Sequence, residues 1–359
     1  MYLTRLTIDG LRCLREVELT PSVGMNLLLG GNGAGKTSVL EALFTLGSGR
    51  SFRFGGHDAV IAHGAKALQL YAELTHGARS ERVGFERSRS GWRGLRNGEK
   101  LVDLAELAGL VPVVCFSPES HQLISGAAEV RRKFFDWIVF HVEPEFAGAY
   151  RRYARALRQR NALLKQNPDR RSLAVWTGEL ADAGEPLAAL RSRVFPEFQQ
   201  LMLDALQNLL PEAAPFALNY RRGWREGMSL MERLQMLEPR ELELGHSLAG
   251  PHRGDWSVEV GGHEIREHGS RGQQKLVALA SVLVAARVYC QRCGEPPVVA
   301  LDDLSSELDL EHQRRALTEC AALRAQLWVT GTQRTSAMAD WAGEFRTFHV
   351  ERGRVAATS

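Results

Sequence analysis

"MNLLLGGNGAGKTSVLEALF", residues 25–44, decides the fold. Met25 to Leu29 is an apolar run of strand length. Gly30 to Thr37 fits G-x-x-x-x-G-K-[ST]. Val39, Leu40, Ala42, Leu43 and Leu46 then recur at helical spacing, and Gly47 is expected to stop the helix. Strand, glycine loop and helix in that order make a phosphate cradle. Successive loop N–H groups converge on one anion, and the helix N-terminus adds its positive end. Lys36 supplies a point charge for the β- and γ-phosphates, and Thr37 a hydroxyl for Mg²⁺. The sequence therefore predicts a nucleoside triphosphate site over Gly30, Gly31, Asn32, Gly33, Ala34, Gly35, Lys36, Thr37 and Ser38.

Composition narrows the class. With 359 residues and a net charge of +3, the chain has material for two or three domains. The mild charge means that a nucleic-acid partner has to be read from local patches. Met1 to Gly10 has no apolar core of a secretory signal, and the most apolar segment, Leu276 to Ala286, reads as too short to cross a bilayer. Five scattered cysteines suit a reducing cytoplasm, and the lone C-x-x-C of Cys290 and Cys293 reads as incidental at a helix end.

Tyr2 to Ile8, Glu16 to Leu19 and Met25 to Leu29 read as strands. Further strands are expected across residues 67–94, and again in "LVPVVCF", 110–116. From about Ala127 to Leu244 the text is rich in Ala, Leu, Arg and Glu and predicts helices. The clearest are "RRKFFDWIVFHV" and "AGAYRRYARALRQRNALLKQNPD", the latter ending at Asn167-Pro168. Strand-like, Gly-rich text returns near Leu248. The expected architecture is an α/β nucleotide-binding head, residues 1–115 and 246–359, split by a helical insertion over 116–245. No sustained heptads or internal repeats are present.

A phosphate loop needs a carboxylate for its metal. In "PPVVALDDLSSELD", 296–309, the apolar run Val298 to Leu301 ends in Asp302 and Asp303. Asp302 is placed to hold Mg²⁺ through water, and Asp303 to orient or deprotonate the attacking water. Asp302 stands much further from Lys36 than in a compact GTPase. Between them, "HGSRGQQKLVALASVLVAARVY" puts Ser270, Gly272 and Gln273 at the start of a long apolar helix, a second N-terminus able to receive phosphate oxygens.

Phosphate loop, S-x-G-Q and "LDDLSSELD" in this order resemble the ABC-type ATPase head, and more narrowly the SMC-like DNA repair heads. "GRSFR" (49–53), "FSPESHQLISGAAEVRRKFFD" (116–136), "LRQRNALLK" (157–165), "GPHRGD" (250–255) and "SRGQQK" (270–275) tighten the resemblance to the RecF family over essentially the whole chain. Gly254 departs from it, since the family is expected to favour an acidic residue after His-Arg.

The resemblance implies an ABC-type P-loop head with mixed β-sheets, binding ATP and Mg²⁺ and dimerising head to tail. Ser270 of one subunit would complete the site built on Lys36 of the other. Ser305 to Asp309 would cross that interface, and Thr330 to Thr332 would be the switch segment. Asp303 stands where such heads usually carry a glutamate, so slow hydrolysis is expected. The implied work is binding DNA at single-strand gaps, duplex or junctions and helping to load recombinase, with RecR and RecO as partners and no membrane. Arg131, Arg132, Arg151, Arg155 and Arg158 are the candidate DNA contacts, and seven Lys or Arg against three acids lie between 79 and 100. His252 and Arg253 read as structural more readily than catalytic. An ABC transporter ATPase subunit, and an SMC-type scaffold in which ATP only sets dimer state, are the alternatives.

Overall fold

The structure, a computed structural model, describes residues 1–53, 57–166 and 169–358. Its contacts divide the chain into two units, Met1–Ser120 with Ala278–Ser359, and His121–Val277. Composition placed the inner boundaries at 116 and 245. Packing draws them at 121 and 277, because strand text beyond 245 pairs with a strand inside the helical segment.

The first unit is built on two sheets. One is antiparallel, in the order β2 (Val17–Leu19), β1 (Tyr2–Asp9), β4 (Ala67–His76), β5 (Arg79–Ser88), β6 (Gly91–Arg96) and β7 (Glu99–Lys100). The other has the order β15 (Arg354–Thr358), β14 (Phe345–Glu351), β3 (Met25–Leu29), β13 (Leu327–Gly331), β12 (Val298–Leu301) and β8 (Val113–Phe116). Here β14, β3, β13, β12 and β8 run parallel, and β15 returns antiparallel at the edge. In β1 the alternation that buries Leu3, Leu6 and Ile8 leaves Arg5 exposed, as expected of a sheet with one wet face. β3 and β12 are apolar at nearly every position because both faces of a parallel sheet are covered.

The Lys36–Ser48 helix fills the space between the sheets. Val39, Leu40, Leu43 and Leu46 are fully buried, and they join Leu6, Leu70 and Phe85 of one sheet and Leu28, Trp328 and Phe348 of the other in one apolar cluster. Gly47 does not stop this helix. It lies inside it, where a Cβ would stand 2.2 Å from the Val111 carbonyl. Gly49 ends it in the left-handed region (φ 68°), with its N–H on the Thr45 carbonyl at 2.7 Å.

The second unit carries the helices Ala128–Val142, Phe146–Leu164, Arg170–Leu209 and Leu230–Leu244. The expected stop at Asn167-Pro168 lies outside the described residues. This unit is not purely helical as its composition suggested. β9 (Phe216–Arg221) lies inside it, pairing antiparallel with β10 (Asp255–Val260), which pairs in turn with β11 (His263–Glu264). Their inner faces bring Tyr220 and Trp256 to Phe135, Phe195 and Phe198, an aromatic core with ring centroids 4.8–6.1 Å apart.

The apolar run near Leu276 also needs correcting. It belongs to a helix of 23 residues, Arg271–Cys293, long and apolar enough by length and composition to cross a membrane. In the folded chain 72% of its apolar window is buried against protein.

Candidate nucleotide site

The phosphate loop runs from the end of β3 into the Lys36–Ser48 helix, as its spacing predicts. Two of its glycines are structurally required. A Cβ on Gly30 would stand 2.1 Å from the Val350 carbonyl oxygen, and Gly35 holds a φ of 115° at the helix entry. Asn32 and Gly33 are exposed at the mouth, Ala34 is half-buried, and Ser38 is buried in the first turn. The Lys36 ammonium is buried and donates to the carbonyls of Gly30 and Gly31 at 2.8 and 2.9 Å. It thus sits over the loop where phosphate oxygens would replace those carbonyls.

The second half of the site is set by sheet register. β12 pairs with β13 so that Leu301 faces Val329, which brings the next residues, Asp302 and Thr330, side by side. The Thr330 hydroxyl donates to Asp302 Oδ1 at 2.7 Å and accepts from the Asp303 N–H at 2.7 Å. Thr37 donates to the same Asp302 oxygen at 2.9 Å. Asp303 takes a left-handed backbone (φ 52°) and accepts from Ser306 at 2.9 Å. A single buried hydroxyl therefore ties both acids to one strand. Thr330 is fully buried, so of the expected switch segment this residue braces the carboxylates, and Thr332 is the exposed one.

Burial pushes the Asp302 carboxyl above its ordinary range, against the opposing hydrogen bonds from Thr330 and Thr37 and the nearby Arg53 charge. A buried carboxylate that meets a threonine hydroxyl from the phosphate loop has the oxygen chemistry of a Mg²⁺ site. Both groups line one cleft of about 260 Å³ with Asn32, Gly33, Lys36 and Asp303. The donor set fits a triphosphate and its divalent cation.

Phe52, Arg53, Ser117, Pro118 and Glu119 line the same cleft. None of them follows from the phosphate-loop pattern. The available signal was in "GRSFR" and "FSPES", two segments that carried the family resemblance without an assigned role. Arg53 also faces the buried Glu41 at 3.8 Å, which is held by Arg12 at 2.8 Å.

Ser270, Gly272 and Gln273 belong to the second unit. Ser270 accepts from the Gln273 N–H at 3.2 Å and its own N–H donates to Gln273 Oε1 at 3.0 Å, a reciprocal cap on the Arg271–Cys293 helix. Ser270 and Gly272 are exposed.

The candidate DNA arginines divide. Arg131 must be withdrawn: it is buried, with a forked pair to Asp255 at 2.8 and 2.9 Å and further bonds to the Ile124 and Gly126 carbonyls. Arg132 is half-buried and donates to the Gly254 carbonyl at 2.8 Å. Arg151, Arg155 and Arg158 lie exposed on one helix face. Arg160, close by in sequence, is fully buried against Glu241 at 2.6 Å. In the 79–100 stretch, Arg96 is paired with Glu81 and Arg87 donates to the Gly49 carbonyl at 2.8 Å.

The Gly250–Asp255 turn is a structural knot. Arg191 donates to the Pro251 carbonyl at 2.7 Å, Arg253 to Ser247 at 3.0 Å, and Tyr153 to His252 Nδ1 at 2.5 Å. His252 Nε2 lies 3.1 Å from the Ser247 carbonyl, which can only accept, so the proton of the neutral ring is on Nε2. Burial lowers the His252 pKa to about 4. With both nitrogens committed, His252 holds the turn and does no acid–base work. At Gly254 a Cβ would meet three carbonyl oxygens at 3.1–3.2 Å, a tight approach that suits glycine.

Residues 2–355 match the family model described as the RecF/RecN/SMC N-terminal domain. A protein of Xanthomonas axonopodis pv. citri described as DNA replication and repair protein RecF is 43% identical over 99% of this chain and 98% of its own length. Its namesake in Stenotrophomonas maltophilia is 42% identical over 99% and 100%. Among solved structures, the recombination mediator protein RecF with ATP, of the RecFOR pathway, is similar with a TM-score of 0.88 and 25% identity, covering 100% of this chain and 98% of that one. An Smc head bound to the C-winged helix domain of ScpA shares the fold at a TM-score of 0.59 and 18% identity, covering 100% of this chain and 98% of that one.

Proposed function

This chain belongs to the RecF family of DNA replication and repair proteins, and on that premise we propose how its site works. It is an ATP-binding head, and ATP binding gates its hold on DNA. Lys36 and the loop N–H groups take the triphosphate. Thr37 and Asp302 would hold Mg²⁺, which would neutralise the phosphate charge. Asp303 orients the attacking water, and Thr330 positions both acids. Asp303 is one methylene shorter than the glutamate common in such heads, so turnover is slow and suits a timing switch.

The observation that carries this reading is the hydrogen-bonded chain Thr37–Asp302–Thr330–Asp303 beside Lys36. It links phosphate loop, metal acid and water acid through two hydroxyls, those of Thr37 and Thr330. ATP favours a head-to-tail dimer in which Ser270 of one subunit reaches the nucleotide of the other, and hydrolysis releases it. The dimer acts in the cytoplasm at gaps or junctions, where it helps to load recombinase with RecR and RecO. Relatives that are DNA repair proteins support this reading over a transporter subunit.

The test is binding to gapped duplex DNA with and without ATP over a salt series, for wild type and Lys36→Arg. Tighter, salt-sensitive binding with ATP, lost in the variant, is expected. No binding in any nucleotide state would sink the reading.

A further inference from the structure

Glu41 lies one helical turn beyond Thr37 and is fully buried. A carboxylate in such a place has to be answered by charge and hydrogen bonds. Arg12 answers it with a fork, Nε donating to Oε2 at 3.1 Å and Nη2 to Oε1 at 2.8 Å, from a left-handed backbone (φ 53°). Arg12 also donates to the Ala59 carbonyl at 2.6 Å, so this cation is held from two sides. Arg53 is placed differently. Its guanidinium stands 3.8 Å from the same carboxylate, beyond hydrogen-bond distance, and lines the nucleotide cleft with Lys36, Thr37 and Asp302. One negative charge thus faces two positive ones. Arg12 alone neutralises Glu41, which leaves Arg53 a surplus cation at the cleft.

Glu41 also sets where that cation sits. The Ser51 hydroxyl donates to Glu41 Oε1 and accepts from the Arg53 N–H at 2.9 Å. Phe52, between them, meets Phe44 of the same helix edge to face, with ring centroids 5.6 Å apart. Residues 51–53 are therefore pinned at two points to the helix that begins at the phosphate loop.

We propose that Glu41 is a positioning residue for ATP turnover: through Ser51 it aims Arg53 into the cleft, and a bound triphosphate draws the guanidinium off a carboxylate that Arg12 already neutralises. The inference rests on the nucleotide reading above and adds to Lys36 a second cation whose place is set outside the phosphate-loop motif. The direction of the exchange follows from charge. On a phosphate the guanidinium gains a forked, charge-assisted partner, and Glu41 keeps Arg12, so no buried charge is stranded.

The experiment follows hydrolysis of radiolabelled ATP with Mg²⁺ by the full chain, for wild type and variants. Arg53→Ala is expected to lower kcat roughly thirtyfold. Ser51→Ala, which leaves the Arg12–Glu41 pair whole, is expected to lower kcat about tenfold with KM within about threefold, because a misaimed guanidinium costs the transition state more than the ground state. Glu41→Ala should match Ser51→Ala, and Glu41→Gln, whose amide oxygen still accepts from Ser51, should recover most of the loss. Where Glu41→Ala does not fold, Ser51→Ala carries the same prediction. Ser51→Ala added to Arg53→Ala is expected to cost nothing further, since the anchor acts only through Arg53. Wild-type kcat in Ser51→Ala would overturn the proposal. So would a further tenfold loss in the double variant, which would make the contacts of residues 51–53 merely structural. Binding of labelled ATP by the wild type separates the two levels. If it binds and either overturning result appears, the positioning assignment alone falls. If it does not bind, the nucleotide reading falls too.

Discussion

Thr330 shows how one hydroxyl organises a site. It donates to Asp302 and accepts from the Asp303 N–H, so it fixes the spacing between the two acids to which the proposal gives different tasks. Thr330→Val keeps the shape and removes both bonds. Turnover is expected to fall roughly tenfold to a hundredfold, a loss of about 1.4–2.7 kcal/mol at the transition state. ATP affinity should stay within about threefold, since Lys36 and the loop are untouched. A variant with unchanged turnover would remove Thr330 from the mechanism. Asp302 and Asp303 were legible as acids ending an apolar strand, and Lys36 and Thr37 as a motif. Thr330 as a brace was not, because its role depends on the pairing of β12 with β13. Arg131 failed for the converse reason. A basic run on a helix does not say which of its members turns inward to an acid such as Asp255, more than one hundred positions away.

At the scale of elements, strands with strong apolar runs were readable almost to the residue: Met25–Leu29 and Val298–Leu301 appear as expected. β9 was not, since "FALNYR" is short, lies among helices and finds its partner only when β10 folds back on it. In the Gly250–Asp255 turn the sequence reads His252 as structural, and its hydrogen bonds to Tyr153 and to the Ser247 carbonyl agree, but the sequence does not say what the turn ties together. Its environment makes a pH prediction. The folded-state pKa of His252 is lowered to about 4, below the ordinary 6.5. Between these values the unfolded chain binds a proton that the folded chain refuses, so stability is complete above about pH 6.5 and is lost as pH falls toward 4. From pH 7.5 to 5 the loss at this residue is about 2 kcal/mol. Denaturant unfolding of wild type and His252→Gln across that range should show a flatter pH dependence for the variant. Parallel curves would assign the acid sensitivity elsewhere.

At the scale of the whole molecule, the two residues that the proposal brings to one nucleotide lie in different units, Lys36 in the first and Ser270 in the second. Ser270 and Gly272 are exposed at a capped helix start, and the Ser270 hydroxyl, which accepts from the Gln273 N–H, has a proton of its own to offer a phosphate oxygen. If two copies share each ATP, a bulky cation at this helix start must block association while leaving nucleotide binding intact. Ser270→Arg should therefore bind ATP like wild type and remain monomeric with ATP in light scattering. Asp303→Asn, which keeps ATP in place, should hold the dimer long after wild type has released it. Together the variants separate binding, association and turnover. Dimerisation of Ser270→Arg with wild-type affinity would show that the interface lies elsewhere. Rapid dimer release by Asp303→Asn would mean that ATP sets the dimer state without hydrolysis ending it, leaving the protein a scaffold rather than a timed switch.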